Sequence, residues 1–304
     1  MCVPSIVQLN KYKDFLKPPQ AKRNILTSVV FAPVLLFVLP AVLYAAGENN
    51  GRGAKAIGMA NAFVAVADDP WALQYNPAGL SLIPYPQISG FIVPQQFDIP
   101  ELRTTALAMV LPMKKVSLGA AIDRFGFDLY NETTVSVGAG KTLAQNIIGG
   151  IALNYHHLTI ARYGSAGTWS ADAGVLAEII PSVMMGGCFK NLTNASYVKG
   201  EDDLPQCFSI GVAWKPLNDL LLTSEIEKDI RYAASVKAGI EKTFLNLLAL
   251  RFGIANNPDK YSAGFAVRYA GIEFGYAGYS HDELGWTHQI EISFQWGVSD
   301  EERH

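Results

Sequence analysis

Apolar and polar residues alternate along the chain from Gln87 to Trp296, in segments of about 7 to 13 residues that end in turns. In the last segment, Trp286, Ile290 and Trp296 share one face, whereas Glu291 and other polar residues share the opposite face. A period of two is typical of β-strands, because successive side chains of a strand point to opposite faces. The pattern therefore predicts an all-β region.

The alternating segments number about fourteen, and single-chain bacterial barrels have an even number of strands. A soluble β-sandwich would alternate in the same way, so the period alone leaves both architectures open. Three features favour a membrane barrel: small and charged residues share a face, aromatic residues cluster near segment ends, and tilted strands of about 10 residues span a membrane. We therefore predict an antiparallel transmembrane β-barrel over residues 87–297, followed by a C-terminal tail over 298–304. The candidate strands lie near residues 87–93, 103–112, 115–124, 132–143, 147–160, 167–179, 183–190, 206–214, 220–228, 232–244, 248–255, 260–269, 271–280 and 285–296.

The connections between these segments differ in length. Short ones, such as Ala144–Asn146 and the turn at Ala270, alternate with longer ones, such as Pro94–Leu102 and Asn191–Pro205. Barrels of this kind have short turns on the periplasmic side and longer loops outside. If both barrel ends face the periplasm, the lengths follow this rule.

Composition adds limits on the partners. The chain has 304 residues and a net charge of −3, so its charge balance predicts no nucleic-acid partner. Half of its residues are apolar and 17% are charged. Beyond residue 46 no apolar run approaches the ~18 residues that a membrane helix needs. The hydrophobic residues are spread over many short segments, as a barrel requires.

The N-terminus has the features of an export signal. A basic stretch ending at Arg23 precedes an apolar run over residues 25–44, and Ala45 and Ala46 follow it. This order predicts a signal peptide over residues 1–46. The apolar run is longer than the usual run of about 7 to 15 residues, so a retained transmembrane helix is the alternative. Prolines within the run and small residues at its end favour cleavage.

Residues 47–86 lack a clean alternation and, at about 40 residues, are long for an unstructured leader. A barrel of about fourteen strands lies between the filled interior of eight strands and the open channel of sixteen. We therefore predict that this segment is an N-terminal plug, or hatch, inside the barrel, with helical turns. Asp69 before Pro70 can cap a short helix, and Asn76 before Pro77 can end it.

The segment from Gly51 to Ile83 resembles the outer-membrane FadL-like transporters and, more closely, their shorter PorV/PorQ relatives. The residues that carry the likeness are Asp68, Asp69, Asn76, Pro77, Ala78 and Gly79. Further matches are Phe189-Lys190-Asn191-Leu192, Leu250-Arg251-Phe252-Gly253 and Leu284-Gly285-Trp286-Thr287-His288. The resemblance spans nearly the whole mature chain and implies a multi-pass barrel with a hatch in the outer membrane.

The resemblance implies two different functions. FadL-like members pass hydrophobic molecules inward, whereas PorV-like members act in type IX secretion, where they receive exported proteins and hand them on at the cell surface. We expect a hydrophobic, fatty-acid-like cargo first, protein secretion second and a purely structural barrel third. The expected partners are outer-membrane lipid, one of these two cargoes, and the outer-membrane assembly machinery during insertion. The chain departs from FadL-like members by being shorter, with trimmed loops.

The alternation also predicts which charges face the lumen. They are Glu225, Glu227, Lys237, Glu241, Arg251, Arg268, Glu273 and Glu291. Either they neutralise one another and hold strands and plug together, since unpaired charge in a confined lumen is costly, or they line a polar path. A charged lumen does not suit an apolar tunnel, so hydrophobic cargo would leave sideways or contact the plug. The plug's candidate ligand contacts are Phe63, Trp71, Leu73 and Tyr75. The residues of the plug motif either shape the plug or touch cargo.

No catalytic residue, metal ligand or cofactor is predicted. The sequence Gly138-Ala139-Gly140-Lys141-Thr142 looks like the end of a phosphate-binding loop but alternates as a strand. His156 and His157 are adjacent, so on a strand they point to opposite faces and cannot share a metal. Cys188 and Cys207 flank one loop on lumen-facing positions, where either a disulfide or two unpaired thiols would fit.

Overall fold

The computed structural model describes residues 51–197, 204–281 and 284–297. Within these ranges, fourteen antiparallel strands follow one another in chain order, and the first strand pairs with the last to close a barrel. The predicted all-β barrel is therefore confirmed. The predicted signal peptide over 1–46 and the tail over 298–304 lie outside the described residues. Among the described residues, no helix is both long and apolar enough to cross a membrane.

The plug precedes the barrel and contains only short helical turns. Its helices are α1 at Ala54–Gly58 and α2 at Ala72–Tyr75, followed by a 3-10 turn at Pro77–Leu82. A second 3-10 turn at Pro100–Leu102 lies between the first two strands. The strands are β1 Gln87–Val93, β2 Thr104–Pro112, β3 Ser117–Phe127, β4 Tyr130–Ala144, β5 Ile147–Ile160, β6 Gly164–Ile180, β7 Val183–Lys190, β8 Cys207–Leu217, β9 Leu220–Asp229, β10 Ser235–Phe244, β11 Leu248–Ala255, β12 Lys260–Tyr269, β13 Ile272–His281 and β14 Gly285–Gln295.

The ladders between neighbouring strands are nearly regular. Between β13 and β14, for example, the pairing runs without interruption from Ile272 opposite Phe294 to His281 opposite Gly285. The register shifts occur between β4 and β5, β6 and β7, and β8 and β9, each beside the connection of the two strands. These connections all lie at the barrel end that also holds both barrel termini. The wall is thus closed and presents no unpaired strand edge.

The two faces of the wall differ as the alternation predicted. On β14 the outward residues Trp286 and Ile292 are 50% and 57% exposed, whereas the inward residues Thr287 and Gln289 are fully buried. Large apolar side chains are exposed on strands all around the barrel. An apolar surface of this extent is far larger than a protein in water exposes. It matches the lipid-facing band of a transmembrane barrel.

The plug fills the lumen and forms the core of the molecule with the inner wall. Helix α1 packs against β11, β12 and β13, and the 3-10 turn at Pro77–Leu82 packs against β4, β5 and β6. Glycines on the wall make this approach close. A Cβ atom at Gly150 would lie 2.2 Å from the backbone nitrogen of Ala78, and one at Gly253 would lie 2.3 Å from the carbonyl carbon of Met59. The plug backbone therefore rests directly on the wall at these points.

Candidate functional site

The candidate site is the interface between the plug and the inner wall, where the sequence placed its plug motif and its lumen charges. Asp69 begins the turn into α2, since its Oδ1 accepts a hydrogen bond of 2.9 Å from the backbone N–H of Trp71. Asp68 pairs with Lys55 across the plug, with Nζ 2.8 Å from both carboxylate oxygens. Burial raises the pKa of Asp69 well above its usual value, and the nearby carboxylates of Glu291 and Asp68 raise it further.

Asn76 ties two parts of the plug to the wall. Its side chain is fully buried, and its Nδ2 donates to the carbonyl oxygen of Val64 at 2.8 Å and to that of Val175 on β6 at 3.1 Å. Its Oδ1 accepts from the N–H of Ala78 at 3.2 Å, which caps the 3-10 turn that Pro77 begins. Both polar atoms of the Asn76 side chain therefore have partners within the plug or on the wall.

Gly79 completes the plug motif through close packing. A Cβ at this position would lie 2.0 Å from the carbonyl oxygen of Ala67, so no larger residue fits without a shift of the backbone. In the structure, the contacts described for the motif join plug to plug or plug to wall. Direct contact of these residues with cargo stays a prediction.

Glu225 on β9 anchors the plug through its backbone. Its Oε2 accepts hydrogen bonds from the N–H groups of Phe63 at 2.9 Å and Val64 at 2.8 Å. Its Oε1 lies 3.2 Å from Nζ of Lys237 on β10, which also pairs with Glu227 at 3.1 Å. The carboxylate is almost fully buried, so its charge depends on these donors.

Glu291 on β14 is a second anchor of the same kind. One carboxylate oxygen accepts from the N–H of Ala54 at the start of α1, at 2.6 Å. The other accepts from Nε1 of Trp71 at 2.8 Å and from the hydroxyl of Ser293 at 3.0 Å. Two inward carboxylates on well-separated strands therefore hold two different parts of the plug.

The remaining predicted lumen charges form a second network beside α1. Arg251 is fully buried, and its Nε lies 2.6 Å from Glu241 while its NH2 nitrogen lies 3.3 Å from Glu273. Glu273 also pairs with Arg268 at 2.5 Å. Glu241 reaches the plug, with 3.7 Å between its carboxylate and Nζ of Lys55. The structure thus places all eight predicted charges inside the barrel, where seven pair with opposite charges and Glu291 contacts the plug.

Two further inward carboxylates, Asp123 and Asp172, were not among the residues predicted from the sequence. Arg52 of the plug pairs with Asp123 on β3 at 2.8 Å. Asp172 on β6 accepts from the backbone N–H of Asn191 at 2.8 Å and from Nδ2 of Asn154 at 2.8 Å. Asp123 alternates with the apolar residues Ala120 and Ile122 of its strand, so the period of two places it on the polar face. The alternation along a strand gives the direction in which Asp123 faces, but it does not identify the plug residue that Asp123 contacts.

The four candidate ligand contacts of the plug are packed away from open space. Phe63 and Tyr75 meet edge to face with ring centroids 5.2 Å apart, and Trp71 meets Phe91 of β1 in the same way at 5.7 Å. Leu73 is buried against the wall, where a Cβ at Gly138 would lie 2.5 Å from its Cδ1 atom. In this closed arrangement they form the plug core, and contact with a ligand would require the plug to move.

A polar pocket of about 340 Å³ lies beside the plug, at the barrel end where β1 begins and β14 ends. It is bordered by Lys55 and Asp68 of the plug, by Glu273 and Glu291 of the wall, and by the connection between β8 and β9. Charged and amide groups dominate its lining. This pocket suits water and polar solutes, and an apolar molecule would gain little there.

The two cysteines do not form the disulfide that one prediction allowed. Cys188 and Cys207 are buried on β7 and β8, and both thiols are free. In the register, Cys188 lies opposite Ser209, and Cys207 lies opposite Lys190. The two thiols are therefore diagonal neighbours instead of a facing pair, a longer separation than direct pairing gives.

The weaker chemical candidates have structural roles. The segment Gly138–Thr142 lies within strand β4. The two neighbouring histidines contact different partners: His156 bonds Thr134 and Ser170, whereas His157 bonds Thr159. In the described ranges, no three or more His, Cys, Asp or Glu side chains are grouped so that they could hold a metal ion.

Comparison with known proteins gives structural neighbours only. No protein-family model matches the chain, and no curated protein sequence matches it. The toluene transporter TodX of P. putida superimposes with a TM-score of 0.64 at 11% identity, over 83% of this chain and 100% of that one. The monoaromatic hydrocarbon channel CymD gives 0.61 at 11% identity, over 82% and 98%. A Pseudomonas aeruginosa FadL homologue gives 0.54 at 12% identity, over 80% and 98%. At these identities the likeness concerns the fold.

Proposed function

We propose that this protein is an outer-membrane barrel that moves hydrophobic small molecules across the membrane. The observation that carries the proposal is the combination of a closed barrel of fourteen strands with a lumen-filling plug. Structures with this fold include a toluene transporter and a monoaromatic hydrocarbon channel. The cargo class proposed here is apolar molecules of that size or fatty-acid-like chains.

The energetics of the plug fit such a role. The plug is held at several points by carboxylates that accept hydrogen bonds from its backbone, through Glu225 and Glu291. Water can replace such polar contacts when the plug moves, so the plug can move without exposing a purely apolar interface. The closed arrangement then represents the resting state, and passage of cargo requires a shift of the plug.

The cargo route follows from the distribution of polarity. The open space beside the plug is lined by charged side chains, including Lys55 and Glu273. Apolar side chains in the lumen belong mainly to the plug, among them Phe63 and Trp71. An apolar molecule therefore has to meet the plug core, and movement of the plug would bring these aromatic rings into contact with it.

The test locks the plug with a disulfide. A Cβ at Gly275 on β13 would lie 3.0 Å from Cβ of Ala54, so cysteines at both positions are close enough to bond after a shift of under about 1 Å. The double variant Ala54→Cys with Gly275→Cys is made in a background whose native cysteines are replaced by serine. Uptake of radiolabelled toluene and of a long-chain fatty acid is measured in cells, before and after reduction.

We expect wild-type cells to take up at least one of the two compounds faster than cells with an empty vector. The locked variant should lose this uptake when oxidised and regain it on reduction, while each single-cysteine variant is indifferent to the redox state. Uptake that equals the empty vector, or that persists in the locked form, contradicts the proposal. The secretion role and the structural role, which remain predictions from the sequence resemblance, would then be tested next.

A further inference from the structure

The outer wall carries an apolar groove that the proposed transport through the lumen does not use. It has a volume of about 520 Å³ and extends over β10, β11 and β12 as far as Trp286 on β14. Its lining includes the alanines Ala238 and Ala263 and the aromatic residues Phe252, Tyr261 and Trp286. In the register, Ala263 lies between Phe252 of β11 and Gly278 of β13. Small residues on neighbouring strands therefore make the recess.

A polar pair lies next to this recess on the same outward face. Gly278 faces His288 on β14, and Nδ1 of His288 lies 2.7 Å from the hydroxyl of Tyr276. The rings of Tyr276 and His288 are stacked at 20°, which fixes both orientations. The outward positions that follow on β14, Ile290 and Ile292, are apolar. A hydrogen-bonding group in a lipid-facing band is costly and therefore points to a function.

The hydrogen bond between the two side chains leaves one donor available. When the Tyr276 hydroxyl donates to Nδ1 of neutral His288, the proton of the imidazole resides on Nε2. Among the described residues, Nε2 of His288 has no hydrogen-bond partner. His288 is exposed on the outward face of the wall, so a molecule from the membrane can accept a hydrogen bond from this N–H.

The depth of the pair indicates which part of a lipid it meets. Tyr261 and Trp286 lie at the level nearest the connections of their strands, as interfacial aromatic residues do. His288 is two residues further along β14, which on a strand tilted by about 40° places it about 5 Å deeper. The polar interfacial layer of a bilayer is about 5 to 8 Å thick on each side. The Nε2–H group therefore lies where the ester carbonyls of a lipid meet its acyl chains.

We propose that this groove binds one lipid of the surrounding membrane. The acyl chain fills the recess formed at Ala238 and Ala263, and the ester carbonyl accepts a hydrogen bond from Nε2 of His288. Tyr276 is a positioning residue that fixes the imidazole. The inference rests on the membrane location in the proposed function, but not on transport, because the groove is on the outside of a closed wall.

The experiment measures lipids that remain bound to the full-length protein. Nanodiscs contain equal amounts of diester phosphatidylcholine and its diether analogue with identical chains, and native mass spectrometry counts lipids retained after release. Wild type should retain one lipid, with a two- to tenfold preference for the diester, as about one hydrogen bond provides. Ala263→Phe should lose the retained lipid. His288→Phe should retain a lipid without the preference.

A matched control lies on the far wall. Ala139 on β4 is also an outward, half-buried alanine, so Ala139→Phe adds the same ring without touching the groove. It should retain lipid as wild type does. The proposal would be overturned if wild type retained no lipid, or if Ala263→Phe retained as much as wild type. An unchanged diester preference in His288→Phe would also overturn it, as would a wild-type dimer that Ala263→Phe dissociates. Heat-modifiable migration on a gel confirms that each variant folds.

The outcome is independent of the proposed transport. Toluene and fatty-acid uptake is measured with the same variants, none of which alters a lumen side chain. Loss of lipid retention with unchanged uptake supports the groove alone. Absence of uptake in every variant, together with the predicted lipid retention, contradicts transport and leaves the lipid site intact.

Discussion

The anchor at Glu225 yields a prediction with a magnitude. In Glu225→Gln the side chain keeps its shape but loses its charge, so the N–H groups of Phe63 and Val64 donate to a neutral oxygen. Hydrogen bonds to charged groups contribute about 1.5 to 3 kcal/mol, roughly twice the value of neutral ones. Two bonds weakened in this way lower the free energy of plug release by about 1.5 to 3 kcal/mol. The population of released plug should rise about 10- to 150-fold.

Hydrogen exchange detected by mass spectrometry measures this change directly. In detergent-solubilised protein, exchange of the amides of Phe63 and Val64 reports the opening of the plug at this anchor. At these two amides, the exchange rate in Glu225→Gln should exceed that of wild type by the same factor as the rise in the population of released plug. Amides in the barrel strands should exchange as in wild type, because their ladder is untouched.

Glu227→Gln is the matched control. Glu227 lies two residues along the same strand, faces the same lumen and pairs with the same Lys237, but its described contacts are to the wall and not to the plug. Its substitution should change exchange at Phe63 and Val64 by less than about threefold. If Glu225→Gln leaves exchange at these amides unchanged, or if Glu227→Gln accelerates it equally, the anchor assigned to Glu225 is wrong.

Three further predictions concern the same interface. Asn76→Ala leaves buried backbone groups unpaired at about 1 to 3 kcal/mol each, so its plug should exchange faster than wild type while the barrel still shifts on a gel when boiled. Gly150→Ala places a methyl group against the backbone of Ala78 and should displace the 3-10 turn, seen as chymotryptic cleavage after Leu80 that wild type resists. Cys188 and Cys207 are unbonded, so unfolding without reductant should let maleimide add to both, and a mass that shows no addition would contradict the register.

The strands were predictable from the sequence because a barrel wall repeats one simple physical requirement. Each residue faces either lipid or lumen, so polarity alternates with the period of the strand. The prediction at 147–160 coincides with β5, and the prediction at 285–296 exceeds β14 by a single residue. Boundaries were less accurate where residues beside a strand are as apolar or as small as those within it. The prediction at 232–244 begins three residues before β10.

The plug interface was predictable only in part. The alternation assigned Glu225 and Glu291 to the lumen, because facing direction is a property of one strand. Which carboxylate meets which plug amide depends on the depth and rotation of the plug inside the barrel, and no local pattern encodes these. The pairing of Arg52 with Asp123 shows the same limit, since its two members lie 71 residues apart in the chain.

The two carboxylate anchors differ in their access to water, and this difference orders the steps of plug release. Glu291 borders the polar pocket, so water can reach and replace its bonds to Ala54 and Trp71. Glu225 is not among the residues that border this pocket, and its oxygens are occupied by two plug amides and by Lys237. Movement of the plug should therefore begin at α1 and be limited by Glu225. On this reasoning Glu291→Gln accelerates exchange at Ala54 while Phe63 stays protected, whereas Glu225→Gln removes the contact that limits full release.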